Sequence, residues 1–376
     1  MVKIRYRTII ASRSILPPRK AVPTHRQKDV ALNQTPQHRV RIVIYGTGQY
    51  GCHIARLAKE RGWQIVAAFN RAGNKIGKDL GCLAGLDQPL GVIIQDCDTA
   101  SYADLDADIG IVTVSNLLSV NFSAHQRLLG AGINVLCHGS ESYYPYGCDP
   151  TIAARLDALA KANKVSFSGG GIWDMSRIWS GILLLGPCTQ ITSLEHSSIT
   201  DVYGQVSSFE QAAFVGIGIS EATFYERGLH QAPFGNSYKT ICEHVLSAVG
   251  YTVSHSEVSI APVLYDKPIT NPWSNEAIPA GTSVGTRISG RTHTEEGVSA
   301  HFNIELRLFK DDEEEHVYWA VDGSPRNELR NNRKDSDLTT AGCLFNRIPD
   351  VINAKPGIVL ISEMGPLRSS APHYQL

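Results

Sequence analysis

Four apolar residues in a row, 42–45, stop abruptly at Gly46. A run so short and so uniformly apolar predicts a strand buried on both faces. Beyond it, Ile54, Leu57 and Ala58 recur at helical spacing and Gly62 supplies a stop. Residues 64–69 then read as a second strand, and 92–94, 109–114, 134–137 and 165–168 as four more. Between the strands at 109–114 and 134–137, residues 121–130 have the helical pattern, with Phe122, Leu128 and Leu129 apolar. Asp149-Pro150 is an N-cap followed by a first-turn proline, opening a helix whose buried face carries Ile152, Leu156 and Leu159. Strands alternating with helices predict an α/β fold, with a Rossmann-type doubly wound parallel sheet over residues 39–168.

From Gly186 the period changes. Phe302, Ile304, Leu306 and Leu308 alternate with Asn303, Glu305 and Arg307, which marks a strand with one buried face. Residues 284–290 precede it through the turn Glu295-Glu296-Gly297, and 317–321 follow through an acidic stretch that reads as a solvated turn rather than a metal site. Residues 237–249 are helical, with Ile241, Val245 and Leu246 apolar and Gly250 as the stop. The expectation is a second α+β domain over residues 169–338, built on an open, mainly antiparallel sheet. Asp322-Gly323-Ser324-Pro325 leads into a polar, basic stretch at 326–334 that reads as a mobile loop. The last segment, 339–376, begins with a helix interrupted by Pro349.

Composition narrows the chemistry. A net charge of -1 gives no field for nucleic acid or an anionic membrane, so a small-molecule partner is expected. The eight cysteines show no CxxC pair or metal-like spacing, which suits free thiols in a reducing, cytoplasmic setting. No apolar run is long enough to span a bilayer. The first 28 residues carry eight Lys/Arg and no acid. They read either as a disordered tail or as an organelle-targeting segment, and residues 1–38 are set outside the fold.

The candidate chemistry starts at Gly46-Thr47-Gly48-Gln49-Tyr50-Gly51. Glycines at this spacing between a strand and a helix permit the tight turn, close approach of a pyrophosphate, and close helix packing. Where an acid would read two ribose hydroxyls, about 20 residues on, stands Asn70 followed by Arg71, with Lys75 nearby. A guanidinium suits a 2′-phosphate, so NADP(H) is expected in preference to NAD(H), unless Arg71 is only a solvated surface charge. Ligands of such sheets lie off the carboxyl ends of the strands, which brings Thr113, Ser115 and His138 to the cofactor. Glu141 follows at the end of the fifth strand, where a carboxylate in a partly apolar pocket can hold an ammonium or move protons. The plainer reading is a glutamate that caps a helix. His138-x-x-Glu141 lacks a third ligand for a metal.

Several of these stretches together resemble a family. Gly46–Gly51, Lys75-Ile-Gly77-Lys-Asp79-Leu-Gly81 and Glu141-x-x-Tyr144-Pro145 are similar to 2,4-diaminopentanoate dehydrogenase and the native amine dehydrogenases. These in turn resemble dihydrodipicolinate reductase in their nucleotide-binding half. The resemblance continues through Asp201-Val-Tyr203-Gly204, Thr339-Thr340, Asn346-Arg-Ile348-Pro349 and Lys355-Pro356-Gly357. It implies NAD(P)H-dependent interconversion of an amine with a ketone or imine, with ammonia as co-substrate, Glu141 as the catalytic residue, a homodimer, and a final segment that packs back on the first domain. The chain departs from the pattern at Gly170-Gly171-Ile172-Trp173-Asp174-Met175, where the family carries an Asn-Pro-Gly-aromatic turn. Trp173, Trp179, Tyr144 and Tyr203 would wall the substrate pocket, or serve as core. At Glu195-His196-Ser197-Ser198-Ile199-Thr200 one histidine of the reductases' His-His-x-x-Lys signature survives and its lysine does not, which argues against that heterocycle reductase. The alternatives are an imine reductase, a diamino-acid dehydrogenase, or an NADPH-sensing protein without chemistry.

Overall fold

The structure is a computed structural model that describes residues 39–203, 209–310 and 312–369. The tail at 1–38, and Gly204 of the motif above, lie outside the described residues. The first half runs β1 (Arg41–Tyr45), α1 (Gln49–Arg61), β2 (Gln64–Asn70), α2 (Leu80–Leu83), β3 (Ile94–Asp96), β4 (Ile109–Val112), α3 (Leu118–Gly130), β5 (Asn134–Cys137), α4 (Pro145–Cys148), α5 (Pro150–Ala162) and β6 (Ser166–Gly169). A π-helical turn, Asp174–Trp179, leads into α6 (Ser180–Leu185). Then come β7 (Gln190–Asp201), α7 (Phe209–Phe214), α8 (Glu221–Glu226), α9 (Gly235–Ala248), β8 (Val253–Leu264), β9 (Ile269–Thr270), β10 (Ala277–Ile278), β11 (Ser283–Thr294), β12 (Ser299–Arg307), β13 (His316–Ser324) and β14 (Asn327–Asn332). The helix α10 (Ser336–Ile352) and β15 (Gly357–Ile358) complete the order.

The first sheet has the order β15-β6-β5-β4-β1-β2-β3, and every pairing in it is parallel. Its central strands, β1 and β4, are almost wholly apolar because helices cover both faces. On one side Ile42 and Ile44 pack with Ile54 of α1 and Leu344 and Ile348 of α10. On the other, Val43 and Val135 pack with Leu128 of α3 and Leu156 of α5. Gly62 ends α1 in the left-handed region, at φ 73°, with its N–H turned back to the Lys59 carbonyl. Asp149 caps α5 by accepting the Ile152 N–H at 2.9 Å. The chain crosses from one half of the sheet to the other between β1 and β4, which puts the binding crevice at their carboxyl ends.

The second sheet has the order β14-β13-β7-β12-β11-β8. The pair β7–β12 is parallel and the other pairs are antiparallel, so the sheet is mixed. Its inner face packs Leu194, Phe302, Ile304 and Trp319 against Ile241, Val245 and Leu246 of α9. Two expectations need correcting here. Most of the basic stretch 326–334 is a strand, β14, paired with β13 from Val321↔Asn327 to His316↔Asn332. An edge strand of polar residues satisfies its backbone on one side without burying an apolar face, so it leaves no periodic signal. Also, α10 begins at Ser336 and runs through Pro349 to Ile352. Pro349 falls in the last turn, where it removes a single helix hydrogen bond. From there β15 pairs with β6, so the end of the chain joins the first sheet.

Candidate active site

Gly46 leaves β1 at φ 105°, with its N–H on the Phe69 carbonyl at 2.8 Å. A Cβ there would lie 2.7 Å from the Thr113 carbonyl oxygen, and one on Gly51 would lie 2.1 Å from that of Gly46. These two glycines make the turn itself feasible. Gly48 differs, because a Cβ on it would meet nothing within 4 Å. It is the N-cap of α1 and brings no side-chain cap, so the first-turn amides are left for an anion. The buried Thr47 hydroxyl also has no partner among the described residues. Glycine by glycine, this turn fits a pyrophosphate.

Beside it lies a cavity of about 360 Å³ lined by Tyr45, Asn70, Arg71, Lys75, Thr113 and Arg127, among others. Asn70 Oδ1 faces the Thr47 N–H at 3.5 Å, and Lys75 Nζ donates to the Thr47 carbonyl at 2.8 Å. Arg127 pairs with Asp98 at 2.6 Å and donates to the Tyr45 hydroxyl at 2.8 Å. Arg71 is exposed at the rim. Asp79, from the second stretch of the resemblance, accepts the Gly81 and Leu90 N–H groups and shapes the neighbouring turn. A larger groove, about 740 Å³ between β2 and residues 90–95, holds none of the candidate residues.

A second cavity, about 550 Å³, starts on the dinucleotide turn at Gln49 and Tyr50 and extends to the second sheet. Its near wall carries Asn116, Leu117, His138, Ser140 and Tyr143. Trp173 lines it from the cap of the π-helical segment and Arg177 from within it, Tyr238 from α9, Thr200 from β7, Arg333 from the approach to α10 and Asp337 from the first turn of α10. Asp337 accepts from Gln49 Nε2 at 2.6 Å and from the Tyr50 hydroxyl at 3.0 Å, which ties α10 to the turn. Burial lowers the His138 pKa to about 4, so its imidazole is neutral near pH 7, and its Nδ1 has no partner among the described residues. Burial pushes the Tyr143 hydroxyl well above the usual tyrosine range. That hydroxyl explains Gly171, where a Cβ would come within 2.6 Å of it. Beneath the wall, Arg347 of α10 grips Asp174 through two 2.8 Å bonds, with both side chains fully buried.

The candidate residues separate on this map. Gly46, Gly48, Asn70, Arg71 and Thr113 line the first cavity, and Gln49, Tyr50, His138 and Trp173 the second. Ser115 accepts the Leu117 N–H at 3.1 Å and starts α3. Glu141 lies behind the wall between Ser140 and Tyr143: its Oε2 accepts the Leu118 N–H at 2.6 Å, capping α3, and burial raises its pKa. Tyr144 turns the other way, stacked 5.1 Å from His244 with its hydroxyl 3.3 Å from Ser247. Trp179 donates to the Ile361 carbonyl at 3.3 Å. Tyr203 is exposed, its ring 5.3 Å from that of Trp273. These three are therefore not in the wall, and Tyr143 and Tyr238 stand there instead. A short 3-10 turn, Ser140–Ser142, decides which of two adjacent tyrosines faces inward, and alternation along the sequence does not report that phase. Arg177, Arg333 and Asp337 were also missed, two of them in stretches read as aromatic wall and as loop.

No profile of a known protein family matches the chain. It is 25% identical over 339 residues to 2,4-diaminopentanoate dehydrogenase of Acetoanaerobium sticklandii, covering 85% of this chain and 92% of that protein. Among solved structures, the amine dehydrogenase of Mycobacterium smegmatis superposes with a TM-score of 0.76 at 27% identity, over 89% of this chain and 98% of that one. The chain resembles the amine dehydrogenases over most of its length. Its fold is shared more distantly with a biliverdin reductase from Synechocystis, solved with biliverdin and NADP+, at a TM-score of 0.53 and 14% identity over 86% of this chain and 95% of that one. This amine dehydrogenase-like protein is thus an oxidoreductase served by a nicotinamide cofactor. No helix among the described residues is long and apolar enough to cross a membrane.

Proposed function

We propose that the protein joins ammonia to a ketone or aldehyde by reductive amination and runs the reverse deamination. The observation that carries this reading is the continuity of the site: the cavity at Tyr143 and Trp173 opens directly from the dinucleotide turn at Gln49 and Tyr50. The bound nicotinamide supplies or accepts the hydride. The chain's own residues shape the cavity, orient the substrate and move protons. Glu141 is the proposed proton-exchanging carboxylate, stabilising the cationic imine. Its support is its place one residue from Ser140 and two from Tyr143, both in the wall, and a pKa that burial raises above the usual carboxylate range. One oxygen accepts the Leu118 amide, so reaching the cavity requires the carboxylate to leave that cap.

Glu141→Gln separates the two roles open to this residue. The amide oxygen of glutamine can still cap α3, whereas the charge and the exchangeable proton are gone. Turnover should fall by roughly 10²–10⁴ with the unfolding midpoint nearly unchanged. Near-normal turnover in E141Q would leave Glu141 as a helix cap only. Activity is read as NADPH oxidation with a carbonyl panel and ammonia, and a rate that persists without ammonia would transfer the reading to preformed imines.

For the cofactor we infer a preference for NADP(H). Arg71, Lys75 and Arg127 line the first cavity, and Asp98, the acid among its described lining residues, is already paired. We infer also that two copies associate through the second sheet. Light scattering of the full chain tests this, and a monomer at micromolar concentration would refute it.

A further inference from the structure

The strand β7 turns His196, Ser198 and Thr200 to one side, and all three are buried. Polar residues on an inward face need partners, and here the partners are cations. Arg177 Nη1 reaches His196 Nε2 at 3.0 Å and Ser198 Oγ at 2.9 Å. Arg333 Nη2 donates to Thr200 Oγ1 at 2.9 Å. Alternate strand residues lie roughly 7 Å apart, so the two guanidiniums are held side by side on the wall of the second cavity.

Their charge is not balanced. Arg177 is 1% exposed and forms no ion pair among the described residues; its Nε has no partner. The acceptor His196 is neutral, because its Nδ1–H is spent on the Tyr318 carbonyl and burial beside Arg177 holds its pKa well below the usual range. Arg333 faces Glu315 at 3.6 Å, but that carboxylate also takes the Ser336 hydroxyl and the Asp201 N–H, and Arg333 Nε is unpartnered too. Burial and the neighbouring Arg333 bring the Arg177 pKa down to about 9, which still leaves it charged at pH 7. Burying an unpaired guanidinium is costly, and a ligand anion removes that cost.

Resting on the amination reading, we propose that the substrate is an oxo acid, and the product an amino acid, whose carboxylate is held by Arg177 and Arg333. The plane of the guanidinium is set by Trp173, its ring centroid 5.2 Å from Arg177 Cζ, and by Tyr238 at 5.7 Å. His196 and Ser198 act as positioning residues that hold Arg177 in the wall. The reacting carbon then lies on the side of the cavity nearer Gln49 and Tyr50, where the dinucleotide turn begins.

The test is equilibrium binding to the full chain with NADPH, because binding is readable whether or not amination follows. Straight-chain oxo acids of three to six carbons are each titrated against their own carboxamides, with calorimetry or Trp173 fluorescence as the readout. The best acid should bind at least about tenfold more tightly than its amide, and Arg177→Gln should erase that ratio by weakening the acid alone. Equal affinities of acid and amide in the native chain, or no binding by any acid, would overturn the proposal. The native-chain comparison stands even if R177Q fails to fold. Tight acid binding without turnover would uphold the anion site and refute the amination reading.

Discussion

The two cavities that meet at the glycine turn are both lined by cations, but they hold them in opposite ways. At the first, Arg71 is exposed and Arg127 is 28% exposed, paired with an Asp98 that is itself 63% exposed. At the second, Arg177 in the wall and Arg347 beneath it are fully buried, and Arg347 is locked to a fully buried Asp174. Water screens the first set, so those charges help to choose a ligand while contributing little to stability. The second set is shielded from water, so each charge there needs a partner from the protein or from the ligand. One end of the site therefore tolerates substitution, and the other couples binding to the integrity of the fold.

The largest expected effect tests that coupling. Arg347→Met leaves Asp174 buried and unpaired and should destabilise the protein by about 3–5 kcal/mol, whereas Arg127→Met, which leaves the exposed Asp98 unpaired and takes one hydrogen bond from the Tyr45 hydroxyl, should cost about 1–2 kcal/mol. Urea denaturation of both variants measures the difference. Equal losses would erase the distinction drawn between the two cavities. Pairing Arg347→Met with Asp174→Leu should recover much of the loss, because it removes the stranded charge.

How much of this was visible in the sequence follows the same division. The central strands of the first sheet could be read because burial on both faces makes them largely apolar, as in residues 42–45 and 135–137. The turn could be read because its glycines are demanded by the backbone: neither Gly46 nor Gly51 has room for a Cβ. The far wall could not. β14 carries a single apolar residue, Leu329, and Arg333 follows directly after the strand. Arg177 sits in a π-helical segment, where the shifted phase defeats a period of 3.6. Buried cations on irregular elements look like surface charges until the chain is folded around them. Glu141 lies between these cases, since the sequence placed it at the end of β5 but could not say where its carboxylate points.

Acid should weaken the fold through histidines that burial keeps neutral, one of them His138 in the wall of the second cavity. His138 titrates near 4 in the folded chain and near 6.5 when unfolded. Between those values the unfolded chain binds more protons, so stability falls as the pH drops below about 6.5 and the fall levels off below about 4. The slope is at most roughly 1.4 kcal/mol per pH unit for each such histidine. His125 and His244, both lowered to about 3 by burial, act in the same sense. Unfolding at pH 7.5 and 5.5 should therefore show a smaller loss in His138→Asn than in the native protein. An identical loss would mean that His138 is protonated at no cost in the folded state.

The smallest effect belongs to the exposed end. Arg71→Ala should weaken NADP(H) about tenfold, leave NAD(H) within about twofold, and leave the unfolding midpoint unchanged, because an exposed guanidinium contributes through the ligand alone. Salt sharpens the contrast. The Debye length shrinks from about 10 Å at 0.1 M to about 3 Å at 1 M. The preference for NADP(H) should therefore shrink as salt rises, while the acid-over-amide ratio at Arg177, out of reach of mobile ions, should stay nearly constant. If Arg71→Ala leaves the ratio of the two cofactors unchanged, the 2′-phosphate is not read at Arg71. Lys75 is not a free substitute, because its ammonium already donates to the Thr47 carbonyl. The remaining candidate would be Arg127, released from Asp98 when the cofactor binds.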